Sequence, residues 1–409
     1  MLDNFQNMSK LELVTLGRKM GIPMGDYCRA HKPELLALFA GRTDEAVALM
    51  QGQSLISGAM AVAPSVNHKA FVAPRYDDIC VVRSAPASEV FKVRSAALKN
   101  IMVDVWNDPS APKAMEKFHW NAKHLAVALS SMNRQRPVWL GGPAGTGKTE
   151  FVKQLCARLG RGFIRVQFDA SLEAYHVIGG ERVKSASTVW QDGLVLAGFR
   201  RPGAVILLDE VGFARSEYTS SLHAAIEPDA IVTVPETGEV IERAKGVCFF
   251  AADNSNGRGD STGVYVGIRE QNNAFLNRFA RFLNFEYLSV DEESVIVSDN
   301  TGCTPALANL VSSFISICRA KAEGGALESP PTMREAFYLA EALMDGIPSR
   351  EAFECVIVNR APIDCQEILQ QLWAANVDAD MVAAAAAGTA VVLKTKQVAT
   401  PVAAVAKAA

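Results

Sequence analysis

The sequence lacks several patterns that would assign it to a specialised class of protein. Its 409 residues include eight cysteines, but none forms a Cys-x-x-Cys pair, so neither a zinc knuckle nor a thiol redox motif is indicated. No apolar run reaches the roughly 18 residues that span a membrane, and the N-terminus lacks the basic-then-apolar pattern of a secretory signal. Scattered cysteines without such a signal favour a reducing, cytoplasmic location, and no membrane association is expected.

An excess of charge of one sign is also lacking. The chain has 41 Lys and Arg residues against 44 Asp and Glu, a net charge of -3, which argues against a globally basic protein that wraps nucleic acid. Hydrophobic residues make up 49% and charged residues 21%, which is typical of a globular chain and not of a disordered one. At about 100–200 residues per domain, the length predicts two or three domains.

The first segment, residues 1–50, is predicted to be a small helical module. Ser9 and Glu12 form a capping box at the start of one helix, and Pro33 suits the first turn of a second. Two short helices joined by a loop resemble SAP or helix-extended-loop-helix modules, some of which bind nucleic acid. This module has six basic and six acidic residues. Because non-specific DNA affinity depends on phosphate neutralisation, its neutrality favours docking to a protein over docking to DNA.

Composition divides the remainder of the chain. Residues 51–78 are rich in Ser, Gly, Ala, Val and Pro, and are predicted to be a flexible linker. Residues 79–290 are assigned to an α/β domain, and residues 291–378, which lack strand signals, to a helical domain. Residues 379–409 are mostly Ala and Val, with few side chains to anchor a core, and are predicted to be a disordered tail in spite of a short helix-forming run.

Strand-like apolar runs alternate with helical segments in the middle of the chain. This alternation predicts a three-layer α/β domain with a parallel sheet. The predicted strands cover residues 137–140, 163–166, 204–208 and 247–252, and a predicted helix covers residues 149–159.

A glycine-rich loop lies between the first of these strands and the helix. It fits the phosphate-binding pattern G-x-x-x-x-G-K-[ST] at every position, and its strand-to-helix context supports the match. Backbone N–H groups of such a loop converge on a phosphate, the lysine reaches the β- and γ-phosphates of ATP, and the hydroxyl ligates Mg²⁺. The candidate nucleotide-binding residues are Gly142, Pro143, Ala144, Gly145, Thr146, Gly147, Lys148 and Thr149, followed by Glu150.

Polar residues follow two of the apolar strands. Asp209 and Glu210 end the run 204–208, where the first carboxylate can hold Mg²⁺ and the second can orient and deprotonate the attacking water. Asn254 follows the next strand, between Glu210 and the expected γ-phosphate, where it could position that water. The adjacent glutamate is what favours an ATP hydrolase over a passive nucleotide binder.

Three arginines further along are candidates for contacting the nucleotide. Arg278 has no acidic neighbour at i±3 or i±4, so no local helix ion pair explains it, and we expect it to reach the γ-phosphate of a neighbouring subunit. Arg281 is the alternative for that role. Arg334 falls in the first turn of a predicted lid helix, where it could fold back onto bound nucleotide.

With these motifs in order, the chain resembles the AAA+ ATPases of the MoxR group, and among them the ATPase subunit of aerobic cobaltochelatase, CobS. The resemblance covers about residues 117–377. Besides the phosphate loop and Asp209-Glu210, it includes residues 252–255 and the loop 259–267, which reads G-D-S-T-G-V-Y-V-G and is similar to a loop of that subunit.

The resemblance implies a P-loop AAA+ fold with a helical lid, assembled as a homo-oligomeric ring, typically a hexamer. It implies Walker A roles for Lys148 and Thr149 and Walker B roles for Asp209 and Glu210, with ATP and Mg²⁺ as cofactors. By the same resemblance, Asn254, Arg278 and Arg334 correspond to sensor 1, the arginine finger and sensor 2.

The resemblance also implies that ATP hydrolysis remodels a partner protein, often one with an integrin-like metal-binding domain. No Asp-x-Ser-x-Ser pattern occurs here, so that domain is expected on another polypeptide. Cobalt insertion is one such role. Alternatives are a nucleic-acid-associated ATPase that docks through the N-terminal module, such as a repurposed phage-encoded relative, and a ring that does not hydrolyse ATP.

The resemblance to the MoxR group also implies an insert between the second strand and Asp209. Tyr175, His176 and Trp190 in this insert could face the ring axis and grip a polypeptide, or could equally pack beneath the insert. His176 has no second ligand at metal-binding spacing, so a metal site there is not expected.

Overall fold

Strands and helices alternate through most of the region that the structure describes. The structure, a computed structural model, describes residues 76–169, 171–184, 187–227, 229–259 and 267–394. The predicted module of residues 1–50 and nearly all of the linker lie outside these residues. In chain order the strands are β1 (Val81–Pro86), β2 (Met102–Trp106), β3 (Val138–Gly141), β4 (Phe163–Gln167), β5 (Gly179–Lys184), β6 (Ser187–Asp192), β7 (Val205–Asp209), β8 (Ile231–Val234), β9 (Glu239–Glu242), β10 (Cys248–Asp253) and β11 (Arg281–Asn284).

Five of these strands form one parallel sheet in the order β11-β3-β10-β7-β4. The other strands pair as the antiparallel hairpins β1-β2, β5-β6 and β8-β9. In the sheet register, Ala252 of β10 lies beside Asp209 of β7, and Asp253 lies beside Gly141 of β3. The carboxyl ends of these three strands therefore meet at one edge, which is where ligands bind in open α/β sheets.

The helices fall into two groups, one around the sheet and one after it. Around the sheet and its hairpins lie α1 (Ala87–Phe91), α2 (Ala122–Asn133), α3 (Lys148–Leu159), α4 (Ala174–Val177), α5 (Leu194–Phe199), α6 (Ser216–Ile226) and α7 (Asn273–Leu276). After the sheet come α8 (Val290–Thr301), α9 (Pro305–Glu323), α10 (Met333–Met344), α11 (Ser349–Val356), α12 (Ile363–Asn376) and α13 (Ala379–Ala386).

Side chains of the sheet alternate between two hydrophobic cores. In β7, Val205 and Leu207 pack into one core with residues of α2 and α3, whereas Ile206 and Leu208 pack into the other with residues of α5 and α6. Because successive strand residues point to opposite faces, a strand that is apolar throughout is buried on both sides. The predicted three-layer α/β arrangement with a parallel sheet and a helical region after it is confirmed.

The hairpin β1-β2, for which the sequence offered no role, is anchored by Trp106. The indole ring fills the space beside Gly203 and Gly246, where an added Cβ at either position would lie 2.6 Å from it. Just after the strand, Asp108 accepts a hydrogen bond of 2.6 Å from Nε of Arg201. The hairpin is thus an integral part of the α/β domain, since it is held by both packing and charge.

Gly160 is expected to be sensitive to substitution because β2 passes directly over it. This residue ends α3 with a φ of +61°, and an added Cβ would lie 2.1 Å from the carbonyl oxygen of Trp106. We expect Gly160→Ala to lower the free energy of unfolding by about 2–4 kcal/mol.

Gly302 provides the matched control for this substitution. It ends α8 with a φ of +75° and has open space around its Cβ position. Gly302→Ala should therefore cost only the backbone strain, about 1 kcal/mol. Denaturant unfolding of both variants measures the difference, and equal losses would contradict the close approach of β2.

The helices α8 to α13 share a hydrophobic core of their own. It is formed around Phe314, Phe353 and Trp373, whose rings are in mutual contact with centroids 4.5–5.3 Å apart. A buried ion pair between Arg319 and Glu293 joins α9 to α8. The helical region that follows the sheet therefore has a core separate from the two cores of the sheet.

The prediction that residues 379–409 form a disordered tail is wrong for residues 379–394, the part of this segment that the structure describes. Asp378 caps α13 by accepting a hydrogen bond of 2.8 Å from the N–H of Met381. Val382 and Ala385 are buried in the lid core. Alanine forms helices readily and lets them pack closely, so a run with few large side chains still adds a helix to this core.

Candidate nucleotide site

The phosphate loop connects β3 to α3, as the motif predicted. Gly142, Gly145 and Gly147 all have positive φ angles, of 135°, 76° and 84°. At Gly142 an added Cβ would lie 2.0 Å from the carbonyl oxygen of Phe285, so only glycine fits there. These conformations leave the loop at the N-terminus of α3, a place where backbone N–H groups favour an anion.

Lys148 is buried at this loop, and its ammonium group has three acceptors. Nζ donates to the carbonyl oxygens of Gly142 and Pro143, at 2.6 and 2.8 Å, and to Oδ1 of Asn254, at 2.9 Å. Burial lowers the pKa of Lys148 to about 8, although the nearby carboxylates Asp253, Asp209 and Glu210 act in the opposite direction. A phosphate beside Nζ would likewise favour the charged lysine.

Thr149 and Asp209 meet directly beside the lysine. The Thr149 hydroxyl donates to Oδ2 of Asp209 at 2.8 Å, and Arg165 donates to the same oxygen through Nε at 2.7 Å. A hydroxyl and a carboxylate are hard oxygen ligands of the kind that Mg²⁺ takes, so these residues fit that ion. No cluster of three or more His, Cys, Asp or Glu residues suited to a metal occurs in the described ranges.

Glu210 follows Asp209 in a left-handed backbone conformation, with a φ of +57°. Few residues other than glycine adopt this conformation, and where they do it is often at functional positions. The Glu210 carboxylate accepts a hydrogen bond of 3.1 Å from Nε2 of Gln167, the last residue of β4. The carboxylate is therefore held at the sheet edge next to Asp209.

Asn254 follows Asp253 at the end of β10, and its contact with Lys148 brings it into the same group. Asp253 is buried and accepts hydrogen bonds from the N–H and hydroxyl of Ser255 and from the N–H of Gly257, at 2.7–3.0 Å. These bonds fix the turn after the strand. Asp253 therefore positions Asn254, a role that the sequence motifs did not reveal.

Arg278 lies outside this group of contacts. Its guanidinium pairs with Glu227 through Nη2 at 3.2 Å and donates to the carbonyl oxygen of Ala274 through Nη1 at 2.5 Å, and its side chain is 26% exposed. Within the described ranges, no side-chain hydrogen bond or ion pair joins it to the phosphate loop. Arg281, the alternative, begins β11 and donates to the adjacent Ala280 carbonyl through Nη1 at 2.8 Å.

Arg334 is exposed in the first turn of α10, and the cap of this helix lies against the phosphate loop. An added Cβ at Gly145 would lie 2.4 Å from Cβ of Thr332, the cap residue. Glu335 completes the capping box by accepting from the N–H of Thr332 at 2.8 Å. The structure therefore brings the start of the lid helix to the loop and leaves the Arg334 side chain in solvent.

Of the other predicted nucleotide-binding residues, one bonds within the phosphate loop and one bonds along the helix that follows it. Thr146 closes the loop by donating to the carbonyl oxygen of Pro143 at 2.9 Å. Glu150 instead bonds along α3, where it accepts from Nε2 of Gln154 at 2.8 Å and pairs with Lys153 at 3.5 Å. Residues 260–266, the most specific part of the predicted resemblance, lie outside the described residues.

The insert before Asp209 consists of the hairpin β5-β6 and the helices beside it. Trp190 is buried in the core of the α/β domain, and its Nε1 donates to Asp192 at 2.8 Å, so this residue packs beneath the insert. Tyr175 and His176 are half-buried with rings 4.0 Å apart, and Arg182 covers the Tyr175 ring at 4.4 Å. Of the two alternatives, exposure at an axis or packing beneath the insert, the structure shows packing for Trp190.

The fold and the phosphate loop are those of a P-loop domain with the AAA fold. The AAA domain family, dynein-related subfamily, matches residues 137–266 of the chain. This segment includes the loop, Asp209, Glu210 and Asn254. Among the described residues, no helix has the length and apolar character needed to cross a lipid bilayer.

Three curated relatives place this domain more closely. Protein NorQ of Paracoccus denitrificans is 39% identical over 130 residues, which is 32% of this chain and 48% of NorQ. Protein CbbQ of Hydrogenophilus thermoluteolus is 27% identical over 222 residues, 54% of this chain and 79% of CbbQ. The aerobic cobaltochelatase subunit CobS of Sinorhizobium is 26% identical over 199 residues, 47% of this chain and 58% of CobS.

These matches confirm the predicted resemblance to the MoxR-type AAA+ ATPases, CobS among them. The chain spans about half the length of NorQ and rather more than half of CobS.

Proposed function

We propose that this protein binds ATP with Mg²⁺, hydrolyses it to ADP and phosphate, and works as a homo-oligomeric ring that remodels a partner protein. One observation carries the proposal. Two hydrogen bonds lie side by side at the carboxyl ends of the sheet strands, one from Lys148 to Asn254 and one from Thr149 to Asp209, with Glu210 next to Asp209. This edge adjoins the glycine-rich loop at the start of α3, so phosphate binding, metal binding and water activation would share one place.

Each residue in the set has a role that its chemistry suits. Lys148 would exchange its carbonyl acceptors for the β- and γ-phosphates, and Asn254 would orient the attacking water. Thr149 and Asp209 would hold Mg²⁺, which neutralises phosphate charge when bound. Glu210 would accept a proton from the water as its oxygen attacks the γ-phosphorus and the bond to the β-phosphate oxygen breaks.

Assembly into a ring, typically a hexamer in the resembling family, would complete this site. Because Arg278 has its contacts with Glu227 and Ala274 and none with its own phosphate loop, it suits a role toward a neighbouring subunit. A cation supplied in trans would stabilise the charge of the transition state. Arg334, at the start of the lid helix, would contact nucleotide on the lid side.

The relatives support a motor with exchangeable partners. NirQ of Pseudomonas aeruginosa, 28% identical over 216 residues, is described as a denitrification regulatory protein, whereas CobS is a cobaltochelatase subunit. These relatives share a region of about 200 residues with this chain, yet their names point to different systems, so we propose that the partner differs from one relative to the next. We propose a protein partner here, and one with an integrin-like metal-binding domain is the first candidate.

ATP turnover of the full chain, with and without DNA, tests this proposal. We expect turnover that needs Mg²⁺ and is unchanged by single- or double-stranded DNA at two salt concentrations. A purely electrostatic interaction with DNA weakens steeply with salt. Stimulation by DNA that falls as salt rises would therefore support the nucleic-acid-associated ATPase instead, and absence of any turnover would support a ring that does not hydrolyse ATP.

A further inference from the structure

Arg165 contacts the proposed metal-binding carboxylate. It lies on β4, the edge strand of the parallel sheet, and its Nε is 2.7 Å from Oδ2 of Asp209. The Asp209 side chain is 5% exposed, whereas that of Arg165 is 41% exposed. The buried carboxylate of Asp209 is thus paired with a more exposed arginine on the neighbouring edge strand.

The arginine and the predicted metal ligand Thr149 share one carboxylate oxygen. Thr149 donates to the same Oδ2 that Arg165 contacts. The second oxygen, Oδ1, accepts from the backbone N–H of Glu210 at 3.2 Å. Lys148, the other nearby cation, has its acceptors elsewhere in the loop and on Asn254. Within the ranges described, Arg165 is therefore the cation that pairs with Asp209.

A divalent cation near this oxygen would face the guanidinium at close range. Two cations that approach one carboxylate oxygen repel each other, and in a partly buried site water screens that repulsion weakly. In the described part of the chain, Arg165 has no other ion-pair partner that would hold it, and its exposed side chain can turn into solvent. The arginine and the metal therefore compete for Asp209.

We propose that Arg165 is a built-in counterion that competes with Mg²⁺ for Asp209 and so makes metal binding depend on the charge of bound nucleotide. This inference rests on the proposed ATPase function. The phosphates of ATP bring negative charge that offsets the repulsion, whereas free Mg²⁺ has only the contested carboxylate. Arg165 is a positioning residue in this account, since it acts through Asp209.

The test uses Arg165→Gln in the full chain, without nucleotide. Melting temperature is measured across a Mg²⁺ series that starts from chelated protein. We expect Mg²⁺ to stabilise the variant with a half-saturating concentration about tenfold lower than in the parent, because a charge-assisted hydrogen bond no longer has to be broken. The double variant Arg165→Gln with Asp209→Asn should lose this stabilisation.

Two further variants control for charge and for folding. Arg182→Gln removes an arginine that stacks on Tyr175 and should leave the Mg²⁺ response at the parental value. Arg165→Lys keeps the charge but not the planar guanidinium, so its Mg²⁺ response should lie between the other two. If Arg165→Gln does not fold, the Mg²⁺ response of Arg165→Lys is compared with that of the parent instead.

Parental Mg²⁺ responses in both Arg165→Gln and Arg165→Lys would overturn the competition, and so would a tighter response that survives Asp209→Asn. Binding of a fluorescent ATP analogue, measured on the same proteins with Mg²⁺, separates this outcome from failure of the proposed function. If the parent does not bind the analogue, the ATPase proposal fails, while the melting series without nucleotide still decides the role of Arg165.

Discussion

Replacing Arg278 by alanine is expected to lower ATP turnover of the assembled protein by about 10³-fold, the effect of losing an arginine that stabilises the phosphoryl-transfer transition state. ATP binding should change little, because Arg278 has no contact with its own phosphate loop within the described residues. Steady-state turnover and nucleotide affinity, measured on the same assembled sample, check both parts.

Two matched variants test whether the effect belongs to Arg278 as a finger. Arg281→Ala removes the nearby alternative, which begins β11, and should retain turnover near the parental rate. Glu227→Gln breaks the 3.2 Å ion pair of Arg278 but leaves the arginine in place, and should also retain turnover. A large loss in either variant, with Arg278→Ala near normal, would move the role away from Arg278.

Mixing variants tests action in trans. Subunits with Arg278→Ala keep Glu210, and subunits with Glu210→Gln keep Arg278, so each can complete the other's site across an interface. A random equal mixture should recover about a quarter of parental turnover, because a quarter of the interfaces in a closed ring then have the productive order. No recovery, or equal turnover by dilute monomer and closed assembly, would contradict a shared site.

Glu210→Gln is expected to lower hydrolysis by about 10²–10⁴-fold, which is the usual contribution of a general base. ATP affinity should stay within a few-fold of the parent, since glutamine has nearly the same shape and Lys148 is unchanged. Single-turnover hydrolysis, together with ATP binding, separates the two effects.

Glu242→Gln is the control for loss of one carboxylate. This residue is exposed on β9, which pairs with β8 and is not a strand of the parallel sheet, and its substitution should leave turnover at the parental rate. Unchanged turnover in Glu210→Gln would remove the proposed base, and would favour a ring whose role does not depend on hydrolysis.

Much of the α/β domain could be predicted because its strands are short and apolar. Residues 205–208 of β7 are buried on both faces and follow one another without polar interruption, which is a pattern that local sequence displays. β11 was not predicted. It has four residues, begins with Arg281, ends with Asn284 and exposes Phe282, so only its pairing with β3 identifies it as a strand.

The sequence alone names candidate site residues where a motif fixes them, and it does not reveal contacts that depend on tertiary structure. The phosphate loop, Asp209 and Glu210 were located by pattern, and the structure joins Asn254 to Lys148 at 2.9 Å. Arg165 and Gln167 were missed, because an Arg-x-Gln alternation on an edge strand has no local signature of contact with β7. Only the parallel register puts Gln167 beside Asp209.

The contact between Gly145 and Thr332 has a mechanical consequence. The phosphate loop touches the cap of α10, and α10 shares a core with the other lid helices. A displacement of the loop backbone at this point would press on the start of α10, a 12-residue helix that is about 18 Å long at 1.5 Å per residue. A small shift of the phosphate loop would thus be passed directly to the core that this helix shares with the other helices.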